Sequence, residues 1–169
     1  MSKQEVAQGF MLFELIVCLA IVVIIIGLAA GNLSFLNRHL VATETEKLYA
    51  ACLYMQRLAM VTGHEQQLLF DQKTQSYVYG ATQQKLPAGV TFGFIPGIKG
   101  PPSSPFAPIR SAITFPDSKI SFYPNGLIQP GTVYLTDQNT TCMYALSCPV
   151  SQVSYVRRYR YADGWKANA

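Results

Sequence analysis

Residues 10–30, FMLFELIVCLAIVVIIIGLAA, decide the fold of the N-terminal third. The chain carries no charged residue from Leu15 to Asn37. As a helix with a rise of about 1.5 Å per residue, the segment 15–36 is about 33 Å long, and the hydrocarbon core of a bilayer is about 30 Å thick. We therefore expect a membrane-spanning helix over residues 15–36, with its backbone hydrogen bonds satisfied internally.

The composition of the whole chain excludes a disordered protein. Of its 169 residues, 50% are hydrophobic and 13% are charged, against about 25% charged in a typical soluble domain. Disordered chains have the opposite balance. The length favours one folded domain behind the helix. With two histidines and four cysteines, we expect no metal site and no cofactor.

A single carboxylate, Glu14, interrupts the apolar segment near its start. Such a charge at the centre of a membrane helix costs about 2.5–3.5 kcal/mol and usually has a partner. Residues 10 and 14 share one helix face. After a cut behind Gly9, the new amine of Phe10 would meet Glu14 of its own chain or of a neighbour. Without that cut, Glu14 would reach the headgroups at the membrane interface.

Two other interpretations of the N-terminus compete with cleavage behind Gly9. A cleaved secretory signal needs a basic start and a small-x-small cleavage site. Here Lys3 is offset by Glu5, and Leu28-Ala29-Ala30 matches the cleavage pattern poorly. The remaining alternative is a signal anchor that is not processed.

The segment GFMLFEL at residues 9–15 resembles the class III signal of type IV pilins and type II secretion pseudopilins. The resemblance implies a leader at residues 1–9, cleavage by a prepilin peptidase between Gly9 and Phe10, and N-methylation of Phe10. It also implies that Glu14 pairs with the amine of a neighbouring subunit during assembly. The departures are Met11, where the family more often has Thr or Ser, and Phe13, where aliphatic residues are common.

The periodicity predicts that the helix continues beyond the membrane to Gly63, giving one N-terminal helix over residues 10–63. Apolar residues recur at helical spacing in this second half, whereas 43–47 carries the polar face. Cys52, Tyr54 and Met55 are expected to pack in a core. A helix over 10–63 would be about 80 Å long, and its second half would need a domain to cover it.

Residues 64–169 are expected to form a β-rich domain outside the cytoplasm. Short β-branched and aromatic segments, separated by Pro, Gly, Asn and Asp, predict mostly antiparallel strands. The segment 96–108, PGIKGPPSSPFAP, is predicted to be a surface loop. The expected strands are 68–70, 77–79, 90–92, 112–115, 120–123, 132–135 and 153–156.

This half resembles the GspH/FimT branch of minor pseudopilins, the type II secretion system protein H-like subunits. The similar segments are QRLAM at 56–60, LPAGV at 86–90, FYPNG at 122–126 and GTVYL at 131–135. The resemblance implies a pilin-like α+β fold. In that fold a long N-terminal helix, transmembrane in its first half, packs on an antiparallel β-rich domain.

The cysteines divide into two pairs by position. Cys142 and Cys148 are six residues apart, and outside the cytoplasm this spacing favours a disulfide that closes a small loop. The alternative is two separate thiols. Cys18 in the apolar segment and Cys52 in the helix are expected to be packing residues.

No catalytic motif is present, and we expect that the protein is not an enzyme. The sequence has no G-x-S-x-G, no P-loop and no H-E-x-x-H. His39 and His64 are too far apart in the chain for a spaced ligand pair. The aspartates fall at predicted turns or strand ends, where they usually serve as turn and capping residues.

The C-terminal tail concentrates basic and aromatic residues. Arg157, Arg158 and Arg160 alternate with tyrosines, and in a strand Arg158 and Arg160 share one face. Such a pattern can bind single-stranded DNA, and it loosely resembles the basic C-terminal motif of FimT-like DNA-uptake receptors. The alternatives are an edge strand guarded by charge and a contact with an acidic subunit.

These observations predict a minor pseudopilin, a structural subunit of a type II secretion pseudopilus that supports protein secretion across the outer membrane. It would lie in the bacterial inner membrane as a single-pass protein with a periplasmic C-terminal domain. Its expected partners are other pilin or pseudopilin subunits, the prepilin peptidase, inner-membrane lipid and secreted cargo. The alternatives are a minor pilin of a type IV pilus, a DNA-uptake receptor and an unprocessed, signal-anchored β-domain.

Overall fold

The computed structural model describes residues 3–31, 33–103, 105–149 and 154–168. The chain divides into two compact units, Met1–Leu36 and Asn37–Ala169. The first unit contains helix α1, Lys3–Gly31. All side chains described in α1, from residue 12 to residue 27, are exposed. With the exception of Glu14 they are apolar or small.

The prediction of one long helix over residues 10–63 is wrong. Helix α1 ends at Gly31, and a second helix, α2, spans Leu33–Thr62. In the part of the chain that the structure describes, no helix is both long enough and apolar enough to cross a membrane.

Two expectations are corrected by this finding. The pilin-like fold class, with a long N-terminal helix that spans a membrane over residues 15–36, is contradicted. The location as a single-pass inner-membrane protein is contradicted for the same reason. What the structure has instead is an α+β chain with two helices and, among its described residues, nine strands.

In the second unit, α2 supplies a buried apolar stripe at helical spacing. Leu48, Cys52, Met55 and Ala59 are at most 1% exposed, as the periodicity predicts. The helix ends at Thr62 because Gly63 adopts the left-handed conformation, with φ of 69°. The Gly63 N–H donates to the carbonyl of Ala59 at 3.0 Å, which closes the last turn.

Part of the face that was predicted to be polar and solvated is buried. Glu44 is 3% exposed, and its Oε1 accepts from Lys47 Nζ at 2.6 Å. Thr45 is 1% exposed and donates to the Val41 carbonyl at 2.7 Å. Conversely, Tyr54 is 56% exposed and does not lie in the core. The buried stripe of α2 is therefore wider toward its N-terminal half than the apolar pattern indicates.

The strands form two antiparallel sheets. The first sheet has the order β3-β2-β1-β5 and the second has the order β4-β6-β7-β8-β9. Every strand pair described is antiparallel, which short connections favour. The strands are β1 Gln66–Asp71, β2 Ser76–Tyr79, β3 Thr82–Lys85, β4 Val90–Phe92, β5 Lys119–Phe122, β6 Gly131–Asp137, β7 Met143–Cys148, β8 Arg157–Tyr161 and β9 Trp165–Asn168.

The second sheet is covered on both faces. On one face Val133, Leu135 and Leu146 join the α2 stripe in the main core. On the other, Tyr134 and Met143 belong to a second cluster, because successive strand residues point to opposite faces. The second cluster is completed by Ala145, Tyr159, Phe94, Ile95, Ile98, Ile109, Tyr161 and Trp165.

The Pro- and Gly-rich segment 96–108 forms the cover of that second face. Trp165 Nε1 donates to the Lys99 carbonyl at 2.8 Å. The hydroxyls of Ser103 and Ser147 are 2.7 Å apart. The segment is therefore tied to both β7 and β9, although Phe106 at its tip is 88% exposed.

Four strands were missed and two were misplaced by the sequence pattern. Strands β3, β7, β8 and β9 were not predicted. Residues 112–115 form only an isolated bridge, Ile113 with Val133. Of the predicted strand 153–156, Val153 lies outside the described residues, and residues 154–156 precede β8.

Asp137 stabilises the turn between β6 and β7. It is 1% exposed and accepts hydrogen bonds from Thr141 N at 2.7 Å, Thr141 Oγ1 at 2.7 Å and Cys142 N at 3.0 Å. Burial acts to raise the pKa of this carboxyl. The hydrogen bonds from Cys142 and Thr141 outweigh burial and leave the pKa below its ordinary value.

We predict that Asp137→Asn lowers the free energy of unfolding by about 1–2 kcal/mol at neutral pH. The folded-state pKa of Asp137 is lowered, so its carboxylate stabilises the folded chain fully at pH values above the ordinary pKa of about 3.9. This stabilisation is lost as pH falls through the folded-state pKa. Urea denaturation across this pH range measures it. The control is Asp163→Asn in the exposed β8–β9 turn, and equal effects of the two changes at neutral pH would contradict the prediction.

Candidate functional site

The predicted processing site lies within α1. Gly9 and Phe10 are helical, and their side chains lie outside the described part of the structure. Glu14 is four residues farther along the helix, and its side chain is exposed. Cleavage between Gly9 and Phe10, N-methylation of Phe10 and the pairing of Glu14 remain predictions.

The described surface of α1 is apolar in every direction around the helix. The exposed fraction is 65% for Leu12, 51% for Ile21 and 62% for Ile26. Between residues 12 and 27, Glu14 is the one charged side chain. A helix that is hydrophobic all round is normally buried on all sides.

The predicted disulfide between Cys142 and Cys148 is wrong. Strand β7 spans Met143–Cys148, so the two cysteines lie at opposite ends of one extended segment. Six residues of strand extend about 20 Å, whereas the Cα atoms of a disulfide are at most about 7 Å apart. All four cysteines are present as thiols. The segment predicted to be a loop is instead a central strand of the second sheet.

The three arginines of the tail do not form one surface. Arg158 and Arg160 share a face of β8, opposite Leu146 and Tyr144 of β7, as predicted from strand geometry. Arg157 lies on the other face, with its guanidinium 4.9 Å from the centre of the Tyr155 ring.

Arg158 is held within the folded unit by α2. Its guanidinium lies 4.5 Å from the centre of the Tyr49 ring and forms an ion pair with Glu46. Its side chain is 16% exposed. Arg158 therefore joins β8 to α2, and it is a structural residue of the second unit.

Arg160 has a different environment. It lies directly opposite Lys166 in the β8–β9 pair, and like charges in this position repel each other. Neither residue forms an ion pair with any described residue. Burial raises the pKa of the nearby Tyr144 hydroxyl, while the positive charges of Arg160 and Arg38 oppose that rise. Arg160 and Lys166 thus place two positive charges side by side on the β8–β9 pair, while the negative charge of Glu46 also acts on Tyr144.

A cavity of about 640 Å³ lies between α2 and the β2–β3 hairpin. Tyr54, Tyr77 and Tyr79 line it, together with Lys47 and Gln84. The Tyr77 and Tyr79 rings are stacked with centroids 6.0 Å apart, and Tyr54 meets Tyr79 edge-on at 6.4 Å. Lys47 Nζ in this lining donates to Glu44 Oε1 at 2.6 Å. Within the described residues, no group of three or more His, Cys, Asp or Glu side chains could hold a metal ion.

No family model, no curated protein and no solved structure matches the chain. The features that call for a partner are the apolar surface of α1 with Glu14 and the adjacent positive charges of Arg160 and Lys166.

We predict that Arg158→Gln lowers the free energy of unfolding by about 1–2 kcal/mol, because it removes an ion pair and a cation–π contact. Arg157→Gln, an exposed arginine one residue away, serves as the control and should change it by less than about 0.5 kcal/mol. Thermal denaturation of the two variants compares them. Equal stability of both would show that Arg158 does not join β8 to α2.

Proposed function

We propose that the chain is a structural subunit of a filament, a minor pseudopilin of a type II secretion pseudopilus. The observation that carries this proposal is the apolar surface of α1, which is exposed over residues 12–27. A minor pilin of a type IV pilus would use the same surface in the same way, and it is the alternative within this class.

The extent of the apolar surface favours an assembly of several copies or homologous subunits. Burying a large apolar side chain contributes about 1.5–3 kcal/mol, and α1 exposes a dozen such residues. That sum exceeds the entropy cost of association. A single flat partner would cover one side only, whereas a helix surrounded by neighbouring helices is covered on all sides.

Glu14 gives such an assembly a defined register. A carboxylate that is buried among apolar helices is strongly unfavourable unless a positive group pairs with it. If the chain is cut behind Gly9, the amine of Phe10 is the positive group nearest in sequence. A helix that pairs its Glu14 with the Phe10 amine of a neighbour can take only one axial position against that neighbour.

Processing is the first test. We predict that the chain recovered from filaments begins at N-methylated Phe10, and that Gly9→Val leaves the full-length form because a peptidase that requires a small residue cannot cut. Intact-mass spectrometry measures both. Gly27→Val is the control, since a side chain there meets no atom within 4 Å. Assembled material with an uncut N-terminus would contradict the proposal.

Assembly is the second test. We predict that Glu14→Gln is cut normally but is reduced at least tenfold in the filament fraction, because breaking a buried charge pair costs about 3–5 kcal/mol. Sedimentation and quantitative immunoblotting measure the fraction. Glu65→Gln, an exposed glutamate after α2, should assemble like the unchanged chain. Equal incorporation of Glu14→Gln would refute the pairing.

Binding of DNA during uptake is a second candidate function, favoured by the repulsion between Arg160 and Lys166. Phosphate contacts from Arg160 and Lys166 would give a salt slope of about 2 in log K against log salt. As a filament subunit, the chain should bind only weakly and lose DNA by about 0.15 M ionic strength.

Fluorescence anisotropy with a labelled duplex, at several salt concentrations, distinguishes the two candidates. The double variant Arg160→Gln with Lys166→Gln is compared with Lys73→Gln, an exposed lysine in the β1–β2 turn. A tight complex that survives at physiological salt and is lost only in the double variant would support the DNA receptor. Such a result would count against the filament subunit.

A further inference from the structure

Strand β3 is an open edge of the first sheet. Among the described strands, β2 alone pairs with it. Three of its four residues, Thr82, Gln83 and Lys85, are exposed. An edge strand turns the N–H and C=O groups of alternate residues away from its neighbour, where a further strand can bind them. This edge is therefore accessible to an incoming strand.

The tyrosine cavity lies on one face of the β2–β3 hairpin. Tyr77 and Tyr79 of β2 line it, and the β3 residues opposite them, Gln84 and Thr82, line it too. Tyr54 of α2 adds a third ring and is 56% exposed, so solvent reaches the cavity. An aromatic side chain that enters it can meet these rings edge-on or offset, which are the favourable arrangements.

A basic pocket of about 530 Å³ lies on the opposite face of the same hairpin. It is lined by Lys73, Thr74, Ser76, Gln83 and Lys85. The residues of β3 divide between the two faces because successive strand residues point in opposite directions. Neither lysine forms an ion pair with any residue that the structure describes.

Hydrogen bonds fix the shape of this basic pocket. The hydroxyl oxygens of Thr74 and Ser76 are 2.8 Å apart, and Gln83 Nε2 donates to Ser76 Oγ at 3.3 Å. In the adjoining turn, the bonds that Thr74 donates, and to a lesser degree the charge of Lys73, hold the pKa of Asp71 below its ordinary value. Asp71 thus offsets part of the charge of Lys73, and Lys85 on the edge strand is the cation that is left for a ligand.

We propose that β3 binds an extended segment of another protein as an added strand, and that acidic and aromatic side chains alternate in this segment. Main-chain hydrogen bonds to β3 provide affinity, and pockets for alternate side chains provide specificity. An acidic side chain that points to the basic pocket places its neighbour in the partner strand over the tyrosine cavity.

Charge complementarity identifies the partner as a different protein and not a second copy of this chain. The chain has 13 basic and 9 acidic residues and a net charge of +4. Its other described edge strand β9 carries Lys166, which would repel Lys85. Lysine on an edge strand keeps out strands of like charge, and the same charge attracts a strand that carries carboxylates.

The experiment measures peptide binding by the full chain dispersed in mild nonionic detergent, so its result does not depend on filament assembly. The probe is a fluorescent peptide, GSTEFETSG, in which glutamate and phenylalanine alternate, and anisotropy reports its binding. We expect saturable binding with Kd below about 1 mM. GSTFEETSG, with the same composition but no alternation, and GSTEFETSG N-methylated at its central amides should bind at least fivefold more weakly.

Charge reversal on the edge strand tests the basic pocket. Lys85→Glu should weaken binding of GSTEFETSG at least fivefold, because an attraction becomes a repulsion. The same variant should bind the reversed peptide GSTKFKTSG more tightly than the unchanged chain does. Lys99→Glu, an equal charge change in the segment 96–108, is the matched control and should leave both affinities within about twofold.

Removal of an aromatic ring tests the tyrosine cavity. Tyr54→Ala should weaken binding of GSTEFETSG about threefold or more, because the phenylalanine loses a ring contact. It should not change binding of GSTEAETSG, which has no aromatic side chain. Absence of saturable binding by the unchanged chain would overturn the proposal. Equal affinity for the alternating, shuffled and N-methylated peptides would also overturn it, and so would equal effects of Lys85→Glu and Lys99→Glu.

Discussion

Burial of both faces of the β6–β7 pair is the constraint on which the second unit depends. From Thr132 to Asp137 and from Met143 to Cys148, every residue is buried. Both strands carry large apolar side chains on both faces, so the sheet needs a layer on each side. The stripe of α2 supplies one layer. The segment 96–108 supplies the other, with Trp165 and Ser103 fixing it to the sheet.

The sequence predicts the elements whose local pattern and final environment agree. The α2 stripe and its end at Gly63 follow from helical spacing and from glycine at the C-terminus. Strand β6 has the β-branched and aromatic residues expected of a strand. Strand β7, MYALSC, lacks that signal because Ala, Met and Cys have weak strand preference and because a strand buried on both faces does not alternate. Cys142 just before the strand and Cys148 at its end then suggested a loop closed by a disulfide.

For the candidate sites too, the local sequence pattern predicts only part of the arrangement. Strand alternation alone places Arg158 and Arg160 on one face of β8. Tertiary contacts then give them different roles, since Glu46 and Tyr49 of α2 bind Arg158 whereas Lys166 faces Arg160. In α1 the composition predicts an apolar helix but does not identify what covers it.

The native thiol Cys18 tests the central claim, that neighbouring subunits cover α1. It lies in the apolar part of α1 and is exposed, whereas Cys52, Cys142 and Cys148 are buried. The measurement is the rate of maleimide alkylation of Cys18 in sedimented filaments, compared with that in the chain dispersed in mild detergent. The account predicts fast labelling in the dispersed chain and labelling at least tenfold slower in the filaments. Equal rates in the two preparations would contradict it.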